Sequence, residues 1–128
     1  MTQIKRVTGI GGIFFKAKDP QALAAWYRRH LGVPVDEGGM WLFRWGADHG
    51  AGATVWSIFP ADTDYLGTEP ARFMINYRVE DIDALLEALR AEGVWIDEKR
   101  DDSEFGRFAW IADPEGNRIE LWQPPPGG

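Results

Sequence analysis

No cysteine occurs among the 128 residues. That absence removes disulfides, thiolate nucleophiles, zinc–thiolate sites and iron–sulfur clusters together. Histidine is nearly as scarce, with only His30 and His49. No uninterrupted apolar run approaches the roughly 20 residues that a membrane-spanning helix needs. The start, Met1-Thr2-Gln3-Ile4-Lys5-Arg6, leads into no apolar core of signal-peptide type. A cytoplasmic protein with no membrane partner is the expectation. Positive charge is in the minority, with 14 Lys and Arg against 20 Asp and Glu and a net charge of −6. No basic cluster is longer than Arg28-Arg29, so no nucleic-acid partner is expected. No G-x-S-x-G, phosphate-binding glycine loop or H-E-x-x-H pattern occurs, and no Ser-His-Asp set can be argued. Asp62-Thr63-Asp64 lacks the glycine and the distant Glu of a calcium loop.

What is present suits one globular domain of residues 1–128: 45% hydrophobic and 27% charged residues, with 15 glycines and 8 prolines punctuating many turns. Residues 7–18 read as a strand with close-approach glycines. Asp19-Pro20 then starts a helix, Asp19 as cap and Pro20 at the first helical position. Leu23, Trp26, Tyr27 and Leu31 share a helical face, and Gly32 with Pro34 ends the helix. Strands follow at 40–45 and 53–59, with a short one expected before them around Val35. The order then recurs. Residues 73–79 form a strand, Asp81 a cap, and Ile82, Leu85, Leu86 and Leu89 a buried stripe ended by Gly93. Strands are expected at 94–96, 106–112 and 118–123. The last two are joined by Asp113-Pro114-Glu115-Gly116-Asn117, in which Gly and Asn tolerate positive φ. Lys99-Arg100-Asp101-Asp102 reads as a solvated loop.

The spacing argues duplication. Asp19 and Asp81 stand 81 − 19 = 62 residues apart, as do Phe15 and Tyr77, and Leu23 and Leu85. The fold class expected is α+β, with two tandem βαβββ modules forming a curved mixed sheet. Module 1 covers about 7–60, a polar linker 61–72, and module 2 about 73–124. Units this small do not bury a face alone, so they should pair.

Three segments resemble the vicinal oxygen chelate superfamily, the group of glyoxalase I, bleomycin-resistance proteins and extradiol dioxygenases. They are Gly12 to Tyr27 with Leu31-Gly32, Tyr77 to Asp83, and Asp113-Pro-Glu-Gly-Asn-Arg-Ile-Glu-Leu-Trp122. The resemblance implies paired modules whose eight strands cup a cavity, often in a homodimer. In its metal-dependent members, matching positions of the two modules hold a divalent metal. Counting back seven residues from each helix-starting Asp gives Gly12 and Met74, and the equivalent of Glu120 in the first module is Ser57. Glycine has no side chain and a thioether suits hard metals poorly. Only Glu120 matches. No cofactor is expected, a divalent metal is disfavoured, and both histidines read as exposed.

Strand alternation puts Glu120 on the opposite side from Ile119 and Leu121. In an aromatic cavity such a carboxylate would titrate high, and would serve as a base or bind a hydroxyl-bearing ligand. An outward Glu, or one salt-bridged to Arg78 or Arg118, is the plainer alternative. Parity adds Gly12, Phe14, Ser57, Met74, Asn76 and Trp122 to the same side, with Phe105, Arg107 and Trp110 as wall. Most of the chain's aromatics must nonetheless be core. Arg44 and Arg107 suit an anionic ligand or, more commonly, surface carboxylates. The leading function is a small aromatic or hydrophobic molecule bound in the sheet cavity beside a degenerate metal site. The alternatives are an enzyme (lyase, isomerase or dioxygenase class) using Glu120 as base or partial metal ligand, and a protein-interaction module without a ligand.

Overall fold

The computed structural model describes residues 6–46, 52–67 and 71–126. Nine elements follow one another: β1 (Val7–Ala17), α1 (Pro20–Leu31), β2 (Met40–Arg44), β3 (Ala53–Pro60), β4 (Phe73–Val79), α2 (Ile82–Ala91), β5 (Ile96–Ser103), β6 (Gly106–Ala112) and β7 (Arg118–Gln123). The class is α+β. The chain divides into two compact units, one of residues 12–74 and one of residues 1–11 with 75–128.

In the 12–74 unit, β3 lies between β1 and β2, parallel to β1 and antiparallel to β2. Helix α1 starts where Asp19 accepts the Ala22 N–H at 3.1 Å with Pro20 behind it. It stops at Gly32, whose φ of 68° only glycine adopts freely. The core on the helix side holds Ala17, Ala24, Val35 and Ile58, with Phe15, Leu23, Tyr27 and Trp56 packed on it. The expected apolar face of α1 is therefore rotated. Leu23 and Tyr27 pack inward around Ala24, while Trp26 and Leu31 are 49% and 62% exposed.

No strand forms around Val35. Pro34 has no N–H to give a ladder, and the stretch is tied up locally instead. Arg28 Nε donates to the Val35 carbonyl at 2.9 Å, and Asp36 Oδ1 accepts the Met40 N–H at 3.0 Å. Gly39 turns the chain with φ of 82°. The described residues thus contain seven strands, where the resemblance implied eight.

In the other unit the order is β4-β7-β6-β5, with β4 parallel to β7 and the remaining pairs antiparallel. Asp81 caps α2 by accepting the Ala84 N–H at 3.1 Å. Ile82, Leu85 and Leu86 of that helix pack on Val79, Ala109, Ile111 and Leu121, which follows from the 3.6-residue stripe. The run expected as a solvated loop, 99–102, lies inside β5. Being an edge strand with one face near α2, it tolerates charge. Arg100 pairs with Asp83 of the helix at 3.0 Å and with Asp102 at 3.1 Å. In the 113–117 link only Gly116 takes positive φ. Asn117 acts through its side chain, donating to Asp113 Oδ2 at 2.9 Å. The Asp113 carboxyl is held below its ordinary value by the Asn117 side chain first and then by backbone N–H groups.

Candidate functional site

In the 75–128 portion the helix-free face carries a built polar cluster. Register pairs Asn76 with Glu120 and Glu120 with Trp110 across three adjacent strands. All three side chains are buried, Glu120 to 1% exposure. Asn76 Nδ2 donates to Glu120 Oε1 at 2.6 Å, and Trp110 Nε1 donates to Glu120 Oε2 at 2.9 Å. Both carboxylate oxygens are thus engaged by rigid neighbours. Hydrogen bonds to a charged acceptor are worth about 1.5–3 kcal/mol each, so this carboxylate is fixed in place.

Aromatic and cationic groups surround the cluster. Lys99 Nζ lies 5.1 Å and the Arg118 guanidinium 5.5 Å from the Trp110 ring centre, a cation–π arrangement. Arg118 also donates to Asp97 at 3.1 Å. Trp122, two residues along from Glu120, stacks against Phe108 at 6.2 Å with the Arg78 guanidinium 5.8 Å from its ring. The Trp122 indole N–H donates to the Phe105 carbonyl at 2.8 Å. Asn76 Oδ1 is buried and has no hydrogen-bond partner among the described residues. It points at Gly11, where any Cβ would overlap it.

In the 12–74 unit, Phe14 is in register with Ser57, and Ser57 with Met40. Phe14 and Ser57 are nearly buried on the face away from α1. Phe14 packs on Phe59 at 5.4 Å and on Tyr65 at 6.4 Å, while Phe59 and Tyr65 stack at 5.5 Å. Gly12 lies under Phe14, which an added Cβ would crowd at 2.7 Å. Met74 is 1% exposed.

Among the residues expected from the sequence, Asn76, Trp110, Glu120 and Trp122 stand together, and Gly12, Phe14 and Ser57 form an aromatic wall of their own unit. Arg107 is not part of the wall. Its position in β6 is odd relative to Trp110, so it points to the helix side and meets Asp83 at 2.9 Å. That side-chain set, with Arg100 foremost, holds the Asp83 carboxyl below its ordinary value. Phe105 is exposed in the β5–β6 turn. Lys99, Phe108, Phe59, Tyr65 and Gly11 are additions. Phe108 was readable by alternation from Trp110, whereas Gly11 has no side chain to signal its role.

For a metal, the donor set fits poorly. Gly12 offers nothing, Met74 a thioether, Ser57 a hydroxyl, and Glu120 has both oxygens committed. Among the described residues no group of three or more His, Asp or Glu is arranged to hold an ion. His30 packs its ring on Trp26 at 5.1 Å, and His49 lies outside the described residues.

A family model described as a glyoxalase-like domain matches residues 12–122. No curated protein matches the chain. Among solved structures it is similar to a methylmalonyl-CoA epimerase from Mycobacterium tuberculosis, at 22% identity over 98% of this chain and 94% of that one, with a TM-score of 0.66. It is also similar to a methylmalonyl-CoA epimerase in complex with methylmalonyl-CoA and NH4+, at 21% identity, 92% and 95% coverage, and a TM-score of 0.69. A third, an NAD-dependent benzaldehyde dehydrogenase from Legionella pneumophila, aligns at 13% identity, 89% and 98% coverage, and a TM-score of 0.59. At these identities the likeness is one of fold.

Proposed function

This chain belongs to the glyoxalase-like domain family, and we propose that within it the chain is a metal-independent protein that binds a small aromatic or hydrophobic molecule. The observation that carries the reading is the state of Glu120. Asn76 and Trp110 occupy both of its oxygens, and Gly12, Met74 and Ser57 supply no partner ligands of the kind a hard metal needs. What is left is a pair of partly exposed aromatic side chains, Trp122 and Phe108, held on a buried polar support, and such aromatic groups line small-molecule sites. Trp122, with Phe108 against it and Arg78 over it, offers a flat face for an aromatic ring, and Glu120 serves as the wall that keeps Trp110 and Asn76 in position. The family resemblance adds a homodimer to this proposal, and the cysteine-free composition adds a cytoplasmic setting.

A second reading is supported by the methylmalonyl-CoA epimerases among its structural neighbours. In it the chain is an isomerase-type enzyme and Glu120 moves a proton. The two readings separate cleanly. Titration with a panel of aromatic and heteroaromatic compounds, followed by tryptophan fluorescence, should give saturable quenching without turnover, and Trp122→Phe should weaken it. Turnover of any compound that disappears in Glu120→Gln with the fold intact would replace the binding reading with the enzymatic one.

A further inference from the structure

A groove separate from the sheet face runs along α1 in the 12–74 unit. It encloses about 510 Å³ between the helix, the turn at 36–39 and the end of β3. Gln21, Ala24 and Arg28 line its helix wall, since positions three and four apart share a helical face. Its floor is apolar, with Ala24 and Ile58 buried there and Pro60 beside them. Its rim carries charges of both signs that do not neutralise each other.

Arg28 is the fixed member. Its Nε donates to the Val35 carbonyl at 2.9 Å, a part-buried bond that sets the plane of the guanidinium. Both terminal nitrogens are left without an ion pair among the described residues. A guanidinium held in this way presents a fork matched to a carboxylate. Across the groove the turn supplies Asp36 and Glu37. Asp36 spends Oδ1 on the Met40 N–H at 3.0 Å, and its carbonyl accepts the Gly39 N–H at 3.0 Å. The Glu37 carboxylate makes no hydrogen bond or ion pair among the described residues. At the helix start Asp19 is committed to the Ala22 N–H as cap, with Lys18 next to it.

We propose that this groove is a second binding site, for a free α-amino acid with an apolar side chain. The carboxylate sits on the Arg28 fork, the ammonium on Glu37 and the side chain on the floor of Ala24 and Ile58. Unpaired charges of opposite sign around one cavity select a molecule that carries both. A simple anion would meet Glu37, and a simple cation would meet Arg28. The reach fits as well. Glu37 stands two residues beyond Val35, whose carbonyl holds Arg28, yet the two side chains form no direct ion pair. Two hydrogen bonds of about 2.8 Å, with roughly 3 Å between the charged groups of an α-amino acid, let the ligand bridge about 8 Å. Because the charged rim is exposed, the affinity is modest, with a Kd of about 1 mM. The site does not use Glu120, so it stands whichever reading of the sheet face holds.

Amide NMR of the isotope-labelled protein, titrated at constant ionic strength with leucine, N-acetyl-leucine and leucinamide, separates the contributions. Leucine should shift the amides of Ala24 and of residues 36–39 saturably. Each blocked compound lacks one charge-assisted contact and should bind about tenfold more weakly. Glu37→Gln changes a side chain that holds nothing in the fold, and it should weaken leucine by about the same factor. Arg28→Gln should abolish the saturable shifts, whereas Arg29→Gln, outside the groove, should leave the Kd unchanged. The absence of a saturable shift would overturn the site. So would equal binding of leucine and either blocked compound, or leucine binding that survives Glu37→Gln or Arg28→Gln.

Discussion

Replacing Gly11 with alanine tests whether Glu120 is clamped or merely buried. The new Cβ would overlap Asn76 Oδ1 and come within 3.0 Å of Trp122 Cε3. A free side chain would swing aside, but Asn76 is buried and its amide is committed to Glu120 at 2.6 Å. Making room therefore breaks that hydrogen bond and leaves a carboxylate oxygen without its donor. The loss is about 1.5–3 kcal/mol for a bond to a charged group. Removing glycine's extra freedom in the unfolded chain returns about 0.5–1 kcal/mol. The net is a destabilisation of about 1–2 kcal/mol, or a drop in Tm of roughly 4–10 °C for a domain of this size. Urea and thermal unfolding followed by far-UV circular dichroism give both numbers. A variant within about 0.5 kcal/mol of the parent, the ordinary range for a surface change, would refute the clamp.

Glu120→Leu should destabilise by about 2–4 kcal/mol, because the Asn76 amide and the Trp110 indole N–H both lose their buried acceptor. Glu120→Gln should cost distinctly less. The buried Oδ1 of Asn76 can turn to accept from the new amide, and chemical denaturation of the two variants side by side shows the difference. Asp81→Ala removes the cap that accepts the Ala84 N–H and should cost about 1 kcal/mol of stability by the same measurement. The carboxyls of Asp83, Asp97 and Asp113 sit below the ordinary Asp value of 3.8, held there first by Arg100, by the Lys99 backbone N–H and by the Asn117 side chain respectively. A depressed folded-state value means that their contribution is whole above the ordinary value and is lost as the pH falls through the folded one. Stability should therefore decline below about pH 4, and Asp113→Asn should flatten that acid limb in a series of melting curves.

Much of the architecture was legible because the sequence repeats its signals. Both helix caps, the α2 stripe and the closing strand pair stand where Asp19, Asp81, Leu85 and the Asp113–Asn117 link put them. The misreadings have physical causes. A strand around Val35 fits the apolar pattern, but Pro34 and the Asp36 turn use the backbone groups that a ladder would need. Lys99 to Asp102 look like loop because edge strands are charged for reasons unrelated to strand propensity. Trp26 and Leu31 satisfy helical spacing as well as Leu23 does. Periodicity cannot say which side of a wide apolar stripe is buried when small Ala24 sits at its centre. Glu120, Asn76, Trp110 and Trp122 follow from period-two alternation along strands. Arg107 fails by the same rule, since it lies three residues from Trp110 in an unbroken strand and so faces α2. Gly11 could not have been found, since its contribution is room for Asn76.

The absence of a working metal centre is the claim on which the proposed function turns, and elemental analysis of the purified, tag-free protein reaches it most directly. The protein would be incubated with Mn, Fe, Ni and Zn, desalted and measured. With Glu120 committed to Asn76 and Trp110, and with Gly12, Met74 and Ser57 at the matching positions, no metal should remain in stoichiometric amount. Retention of one ion per chain, lost in Glu120→Gln, would contradict the account and return the chain to the metal-dependent side of its family.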